Sequence, residues 1–164
     1  MTVNHNAPGA TLLTLAPANE DDFESLLALR MAAMRESLQR LGRFDPQRAR
    51  ERLSRAFEPL HTRHILMNGV RVGFVVLLPM PTGMPDHLVL DHLYIAPQAQ
   101  GQGVGNWVMA QVLDEADRLG WPVRVTALRL SDANRFYQRH GFVLQHESEW
   151  DRHYLRPAVW SPGD

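Results

Sequence analysis

The chain has no cysteine among its 164 residues. Disulfide staples, cysteine nucleophiles and thiolate metal sites are therefore excluded together. It also lacks an apolar run near the roughly 20 residues a bilayer crossing needs. Its polar start, MTVNHNAPGA, has no basic segment leading into an apolar one. Nor is there a surplus of charge: 17 basic and 18 acidic residues leave a net charge of −1. That balance argues against a nucleic-acid-binding stripe or a polybasic membrane face, so neither kind of partner is expected. No internal repeat, low-complexity segment or second-domain linker is visible. With 45% hydrophobic residues, the expectation is one globular domain over residues 11–158, behind a loose tail at 1–10. A cytoplasmic location is the default for such a chain.

What is present is a clear alternation of element signals. Thr11–Leu15 alternates weakly as a first strand. Asn19 reads as an N-cap, with Glu20, Asp21 and Asp22 at the positive end of a helix. Phe23, Leu26, Leu27, Arg30, Met31, Met34, Leu38 and Leu41 recur at helical spacing up to a stop at Gly42. Asp45-Pro46 opens a second helix that ends near Glu58-Pro59. Strands at His64–Met67 and Val70–Leu78 are joined by Asn68-Gly69, a strong hairpin signal. After a broken loop at Pro79–Asp86 come a strand at Leu88–Ile95, a helix at Trp107–Leu119 and a strand at Val123–Leu130. A short helix from Ser131 to His140-Gly141 and closing strands at Phe142–His146 and His153–Leu155 complete the chain. This order predicts an α/β (α+β) fold: one mixed, mostly antiparallel sheet with helices on both faces.

The densest signal is Ile95-Ala96-Pro97-Gln98-Ala99-Gln100-Gly101-Gln102-Gly103-Val104-Gly105, a strand end, a proline-bounded turn and three alternating glycines running into a helix. Such backbone can wrap a phosphate in N–H donors at the positive end of a helix. A nucleotide P-loop would need lysine and a hydroxyl after the last glycine, where Asn106 and Trp107 stand. A dinucleotide fingerprint would put its third glycine at Asn106 and an acid about 20 residues on, where Arg124, Val125 and Thr126 stand. Both fail on spacing. Some 30 residues further comes Ser131-Asp132-Ala133-Asn134-Arg135-Phe136-Tyr137-Gln138-Arg139-His140-Gly141-Phe142.

The first stretch resembles the acyl-coenzyme A loop of the GCN5-related N-acetyltransferase (GNAT) superfamily. In that pattern a Val/Ile-x-Pro strand end is followed by Gln or Arg, two free positions, Gly, one free position, and Gly or Ala. Gln100, Gly103 and Gly105 fill it. The second stretch is similar to the superfamily's other signature, A-x-x-F/L-Y-x-x-x-G-F, through Ala133, Phe136, Tyr137, Gly141 and Phe142. The resemblance covers residues 64–145 well and the two N-terminal helices by order only. Leu130 departs from it, standing where many members carry an asparagine that contacts the cofactor's pantetheine arm; Ser131 or Asn134 could substitute.

The resemblance implies the GNAT fold, with acetyl-coenzyme A as acyl donor and direct attack by a primary amine. Donor binding is expected from Leu93, Tyr94 and Ile95, chiefly through backbone groups of the strand end. Gln100, Gly101, Gln102, Gly103, Val104, Gly105 and Asn106 would form the pyrophosphate cradle, with Ser131, Asn134, Phe136 and Tyr137 along the arm. Tyr137 is the expected acid for the departing thiolate, since a phenol holds its proton at neutral pH. A base is expected from Asp91 or His92, or from water. Strand alternation would send those two side chains to opposite faces. Asp91 could instead hold a cationic acceptor.

The acceptor is expected to be a small molecule (amino acid, polyamine or amino sugar) ahead of a protein lysine or N-terminus. A non-catalytic acyl-coenzyme A-binding module is the competing class. Met31, Met34 and Arg35 could line the acceptor pocket, and Glu147, Glu149 and Asp151 form an acidic run near it. The eight histidines include His61 and His64, but no metal-ligating pattern joins them, so no metal is expected. A homodimer is compatible with the resemblance.

Overall fold

The computed structural model describes residues 10–159, so nine of the ten residues of the expected tail lie outside the described part. The elements in chain order are β1 (Leu13–Pro17), α1 (Phe23–Arg40), α2 (Pro46–Ala56), β2 (Thr62–Met67), β3 (Val70–Met80), β4 (His87–Ile95), α3 (Val104–Leu119), β5 (Val123–Leu128), α4 (Ala133–Arg139), β6 (Val143–Glu147) and β7 (Asp151–Arg156). The seven strands form one sheet in the order β1-β2-β3-β4-β5-β7-β6. Every neighbouring pair is antiparallel except β4 and β5. A mixed, mostly antiparallel sheet with helices on both faces is thus observed, and its single parallel pair flanks the glycine turn and α3.

Local chemistry sets the ends of these elements. Asn19 and Asp22 form a reciprocal capping box on a 3-10 turn that feeds α1. Asp45 Oδ1 accepts the backbone N–H groups of Gln47 and Arg48, with Pro46 at the first helical position. Asn68 and Gly69 both take positive φ, the geometry that lets a two-residue turn follow the twist of β2 and β3.

Two apolar layers fix the helices. α3 buries Val104, Val108, Met109, Val112 and Ala116 against Val75, Leu77, Leu90, Val123 and Val125 of the sheet. Burying each of the larger of these is worth roughly 1.5–3 kcal/mol. On the opposite face, Leu26, Leu27, Ala49 and Leu53 of α1 and α2 pack on Phe74 and Val76. α3 begins at Val104, earlier than the Trp107 start its apolar spacing suggests. Gly103 at φ 80° is the residue from which the helix winds, a conformation that carries little penalty only without a Cβ. Gly105 and Asn106 consequently lie inside the first turn.

Candidate active site

β4 and β5 run in parallel register only from Leu88 to Leu90, opposite Val123 to Val125. Beyond that the two strands separate, and a cleft of about 730 Å³ opens between Leu93, Tyr94 and Ile95 on one side and Thr126, Ala127 and Leu128 on the other. The backbone of β4 there is aimed by its partner on the far side. Ala96 N–H bonds Val72 C=O at 2.7 Å. Alternation along the antiparallel ladder then directs Tyr94 toward β3, and the backbone groups of Leu93 and Ile95 toward the opening. The Ile95 carbonyl is taken by Gln100, whose side-chain amide donates to it at 2.9 Å. Gln100 thereby ties the glycine turn to the strand end.

At the mouth of the cleft, Gly101 and Gly103 both hold positive φ. The first helical bond of α3 runs from Trp107 N–H to Gly103 C=O. The amides of Val104, Gly105 and Asn106 precede it, so they have no acceptor within the helix. A Cβ on Gly105 would lie 3.4 Å from the Phe136 ring, so this turn approaches α4 closely. Gln102 bonds the Gln98 carbonyl. His140, donating through Nε2 in the matching tautomer, reaches Asn106 Oδ1 at 3.0 Å. The Asn106 side chain is thus part of the α3–α4 contact, and its backbone amide is what remains for a ligand.

α4 brings Tyr137 and Phe136 to the same cleft, with Ser131 and Ala133 just before them. Tyr137 is buried among Phe136, Phe142 and Tyr154. Burial pushes its phenol above the usual value near 10, and Tyr94 adds to the effect. Ser131 Oγ accepts the Ala133 N–H at 3.1 Å, one residue ahead of the Asp132 that takes the N-cap position of α4. Asn134 corrects the expectation of a pantetheine contact. It is buried, its Nδ2 donates to the carbonyls of Leu128, Arg129 and Ser131, and its Oδ1 accepts the Tyr154 hydroxyl at 2.7 Å. The side chain is used up in bracing the turn after β5. Leu130 is 74% exposed and lies outside the cleft.

The pair Asp91-His92 is where strand alternation breaks. The β3–β4 register shifts between Val76, opposite His92, and Leu77, opposite Leu90, so Asp91 is an extra residue. Such a bulge turns two successive side chains toward one face. Both point to the side of α1 and α2, with His92 Nε2 3.4 Å from Asp91 Oδ2. Their surroundings still differ. Asp91 lines the cleft and is gripped by Arg52 of α2 through two bonds of 3.0 and 3.1 Å. His92 is 2% exposed, packed on Phe74 and Tyr94, with Nδ1 3.4 Å from the Tyr94 hydroxyl. Burial pushes its imidazole down to about 3, with Asp91 pulling the other way. It is a neutral core residue beneath the cleft, which corrects its candidacy as the base.

Arg30 was visible in the sequence only as one position of the α1 stripe. In the structure it is 8% exposed, lines the cleft, and sits over the Tyr94 ring at 5.6 Å. A charged residue at an apolar-stripe position was the available signal for it. Arg52 had no such signal, because its partner lies 39 residues away. Of the helix residues expected at the pocket, Met34 lines it, Met31 packs into the α1–α2 core and Arg35 covers Phe44. From the acidic run only Asp151 reaches the cleft, while Glu147 pairs with Arg152 and Arg129. His64 bonds Asp22, and no metal-binding cluster of His, Asp or Glu occurs among the described residues. No described helix is long and apolar enough to cross a membrane.

A family profile described as an acetyltransferase (GNAT) domain matches residues 61–144, from β2 through α4 to β6. No curated protein matches the chain in sequence. Similar solved structures include PH1933 from Pyrococcus horikoshii OT3, at TM-score 0.71 and 14% identity over 91% of this chain and 100% of that one. The PaiA N-acetyltransferase of Thermoplasma acidophilum, solved with coenzyme A, superposes at TM-score 0.61 with 14% identity over 89% and 99%. Ard1 from Thermoplasma volcanium gives TM-score 0.64 and 20% identity over 91% and 99%. These likenesses show a common fold. The profile spans just over half of the chain, including both the glycine turn and the Tyr137 helix, and the protein belongs to the GNAT acetyltransferase family.

Proposed function

We propose that the protein is an acetyl-coenzyme A-dependent N-acetyltransferase that acetylates a small primary amine by direct attack. The observation that carries this reading is the opening of β4 from β5, with the α3 amides at its mouth and Tyr137 in its wall. The amides of Val104, Gly105 and Asn106, with the positive end of α3, would hold a pyrophosphate without any lysine. The acyl donor would supply an activated thioester carbonyl lying along the strand gap.

The remaining roles belong to the chain's own groups. The backbone of Leu93 and Ile95 faces the gap, where the Leu93 N–H can donate to an arm amide or to the carbonyl oxygen as it gains charge. Burial raises the Tyr137 phenol above its usual value, so it holds its proton at neutral pH and can donate a hydrogen bond toward the sulfur as the thiolate leaves. Asp91, held by both arms of Arg52, keeps carboxylate lone pairs toward the cleft. It can accept a hydrogen bond from the incoming ammonium and pass the lost proton to cleft water. No acyl-enzyme is invoked.

The test is thiol release from acetyl-coenzyme A across a panel of amines. A cysteine-free protein contributes no background to a thiol reagent. Amine-dependent release supports transfer. Saturable coenzyme A binding without release from any amine would favour a non-catalytic binding module.

A further inference from the structure

The cleft lining is cationic, although the chain as a whole carries a net charge of −1. Six arginines line the cleft against four aspartates. Asp91 and Arg52 neutralise each other, which leaves five arginines against three aspartates. Arg30 stands out among the six. It is 8% exposed, its Nε has no hydrogen-bond partner, and it belongs to none of the ion pairs among the described residues. The contrast is Arg156, whose similarly sheltered side chain is matched by Asp117. The Arg30 guanidinium lies over the Tyr94 ring, and the face of a phenol ring is a weak substitute for a carboxylate, so an anion in the cleft would supply the charge partner that the described residues do not. Arg48, at the start of α2, lines the same half of the cleft with its own side chain outside those ion pairs.

We propose that the acceptor carries an anionic group, a carboxylate or a phosphate, beside its amine, and that Arg30 of this chain seats that anion. The inference rests on the acetyltransferase reading and narrows its substrate class. Planar guanidinium forks match carboxylate and phosphate oxygens in pairs. Arg30 faces β4 at Tyr94, so an anion seated there lies next to the strand gap where the amine must meet the thioester. Asp91 then faces the ammonium, and a zwitterionic acceptor meets both signs. A polyamine or a basic peptide would bring further positive charge into a cleft that already has an excess.

The test uses matched acceptors with the intact protein and acetyl-coenzyme A. Phenylalanine is set against phenylalaninamide and phenethylamine, glucosamine 6-phosphate against glucosamine, and spermidine serves as the polycation. The expected result is a kcat/KM for one anionic member about 10- to 100-fold above that of its neutral partner, the range for a charge-assisted contact. The phenylalanine and glucosamine arms separate carboxylate from phosphate. Arg30→Met should raise KM for that acceptor by a similar factor and erase the preference, leaving KM for acetyl-coenzyme A unchanged. Arg30→Lys should retain part of the preference. Equal use of neutral and anionic partners, or preference for spermidine, overturns the proposal while leaving acetyl transfer standing, and needs no variant. If no amine releases thiol, the acetyl-transfer reading fails separately. Calorimetric titration of the same pairs in the presence of coenzyme A then decides the anion site: tighter binding of an anionic member, lost in Arg30→Met, supports it. No such difference overturns it.

Discussion

Replacing Tyr137 by phenylalanine removes one oxygen and leaves the packing in place. The ring lies 5.5 Å from both Phe136 and Phe142 and 6.4 Å from Tyr154, so an apolar ring of the same outline keeps the cluster. The melting temperature should therefore move by no more than about 3 °C, the shift expected for a change near 0.5 kcal/mol. The size of the kinetic effect follows from acidity. Burial raises the phenol further above 10, whereas a free thiol titrates near 8.5. Complete proton transfer to the departing thiolate is thus uphill, and the hydroxyl acts mainly by donating a strong hydrogen bond as charge builds on sulfur. That places the loss at the lower end of the range for acid–base groups, about 100-fold in kcat, or about 2.7 kcal/mol. KM for acetyl-coenzyme A should stay within about 2-fold, since the contact gains strength only in the transition state. The assay is steady-state thiol release at saturating amine, with calorimetry for donor affinity. A kcat within about 3-fold of the parent, in a folded variant, would refute the assignment.

Three further outcomes are expected. Asn134→Ala removes an amide that serves three carbonyls and the Tyr154 hydroxyl, and should cost about 2–4 kcal/mol in urea unfolding, because several buried groups lose partners at once. A cost below about 1 kcal/mol would mean the turn after β5 is held by something else. His92 is neutral in the fold and charges on unfolding, so its contribution is complete above pH 6.5 and is lost as pH falls toward about 3. His92→Phe should therefore flatten the acid limb of stability, sparing about 2.3 kcal/mol between pH 6.5 and 4.5; identical limbs in the two proteins would disprove the burial argument. Gly73→Ala would put a Cβ 2.3 Å from the Tyr94 carbonyl, forcing β3 from β4 at the site. It should lower stability by at least about 2 kcal/mol and reduce turnover in whatever remains folded, read by paired melting and rate measurements.

The readable parts of the chain were those whose chemistry is local. Asn68-Gly69, Asp45-Pro46 and Asn19 announced their turn and caps, because each acts on backbone within three residues of itself. The element order was legible from periodicity, and the two motifs at Gln100–Gly105 and Ala133–Phe142 were enough to point to the family. His92 and Asn134 were misread because neighbours distant in sequence decided their surroundings, whereas the start of α3 turned on one adjacent residue. The start of α3 depends on Gly103 taking positive φ, which moved Gly105 and Asn106 into the first turn.

The sequence by itself determined the elements, the donor-side motifs and the family, since those rest on short-range geometry and on spacing. Only the tertiary structure decided which polar groups face the cleft. The Asp91 bulge appears when β3 and β4 are paired in register, and it turns Asp91 and His92 to one face in defiance of strand alternation. Burial then separates them, leaving His92 neutral in the core and Asp91 in the grip of Arg52. Arg30 reads in the sequence as one residue of a helical stripe. Its meaning comes from what surrounds it, because whether a charge has a partner depends on every element packed against it.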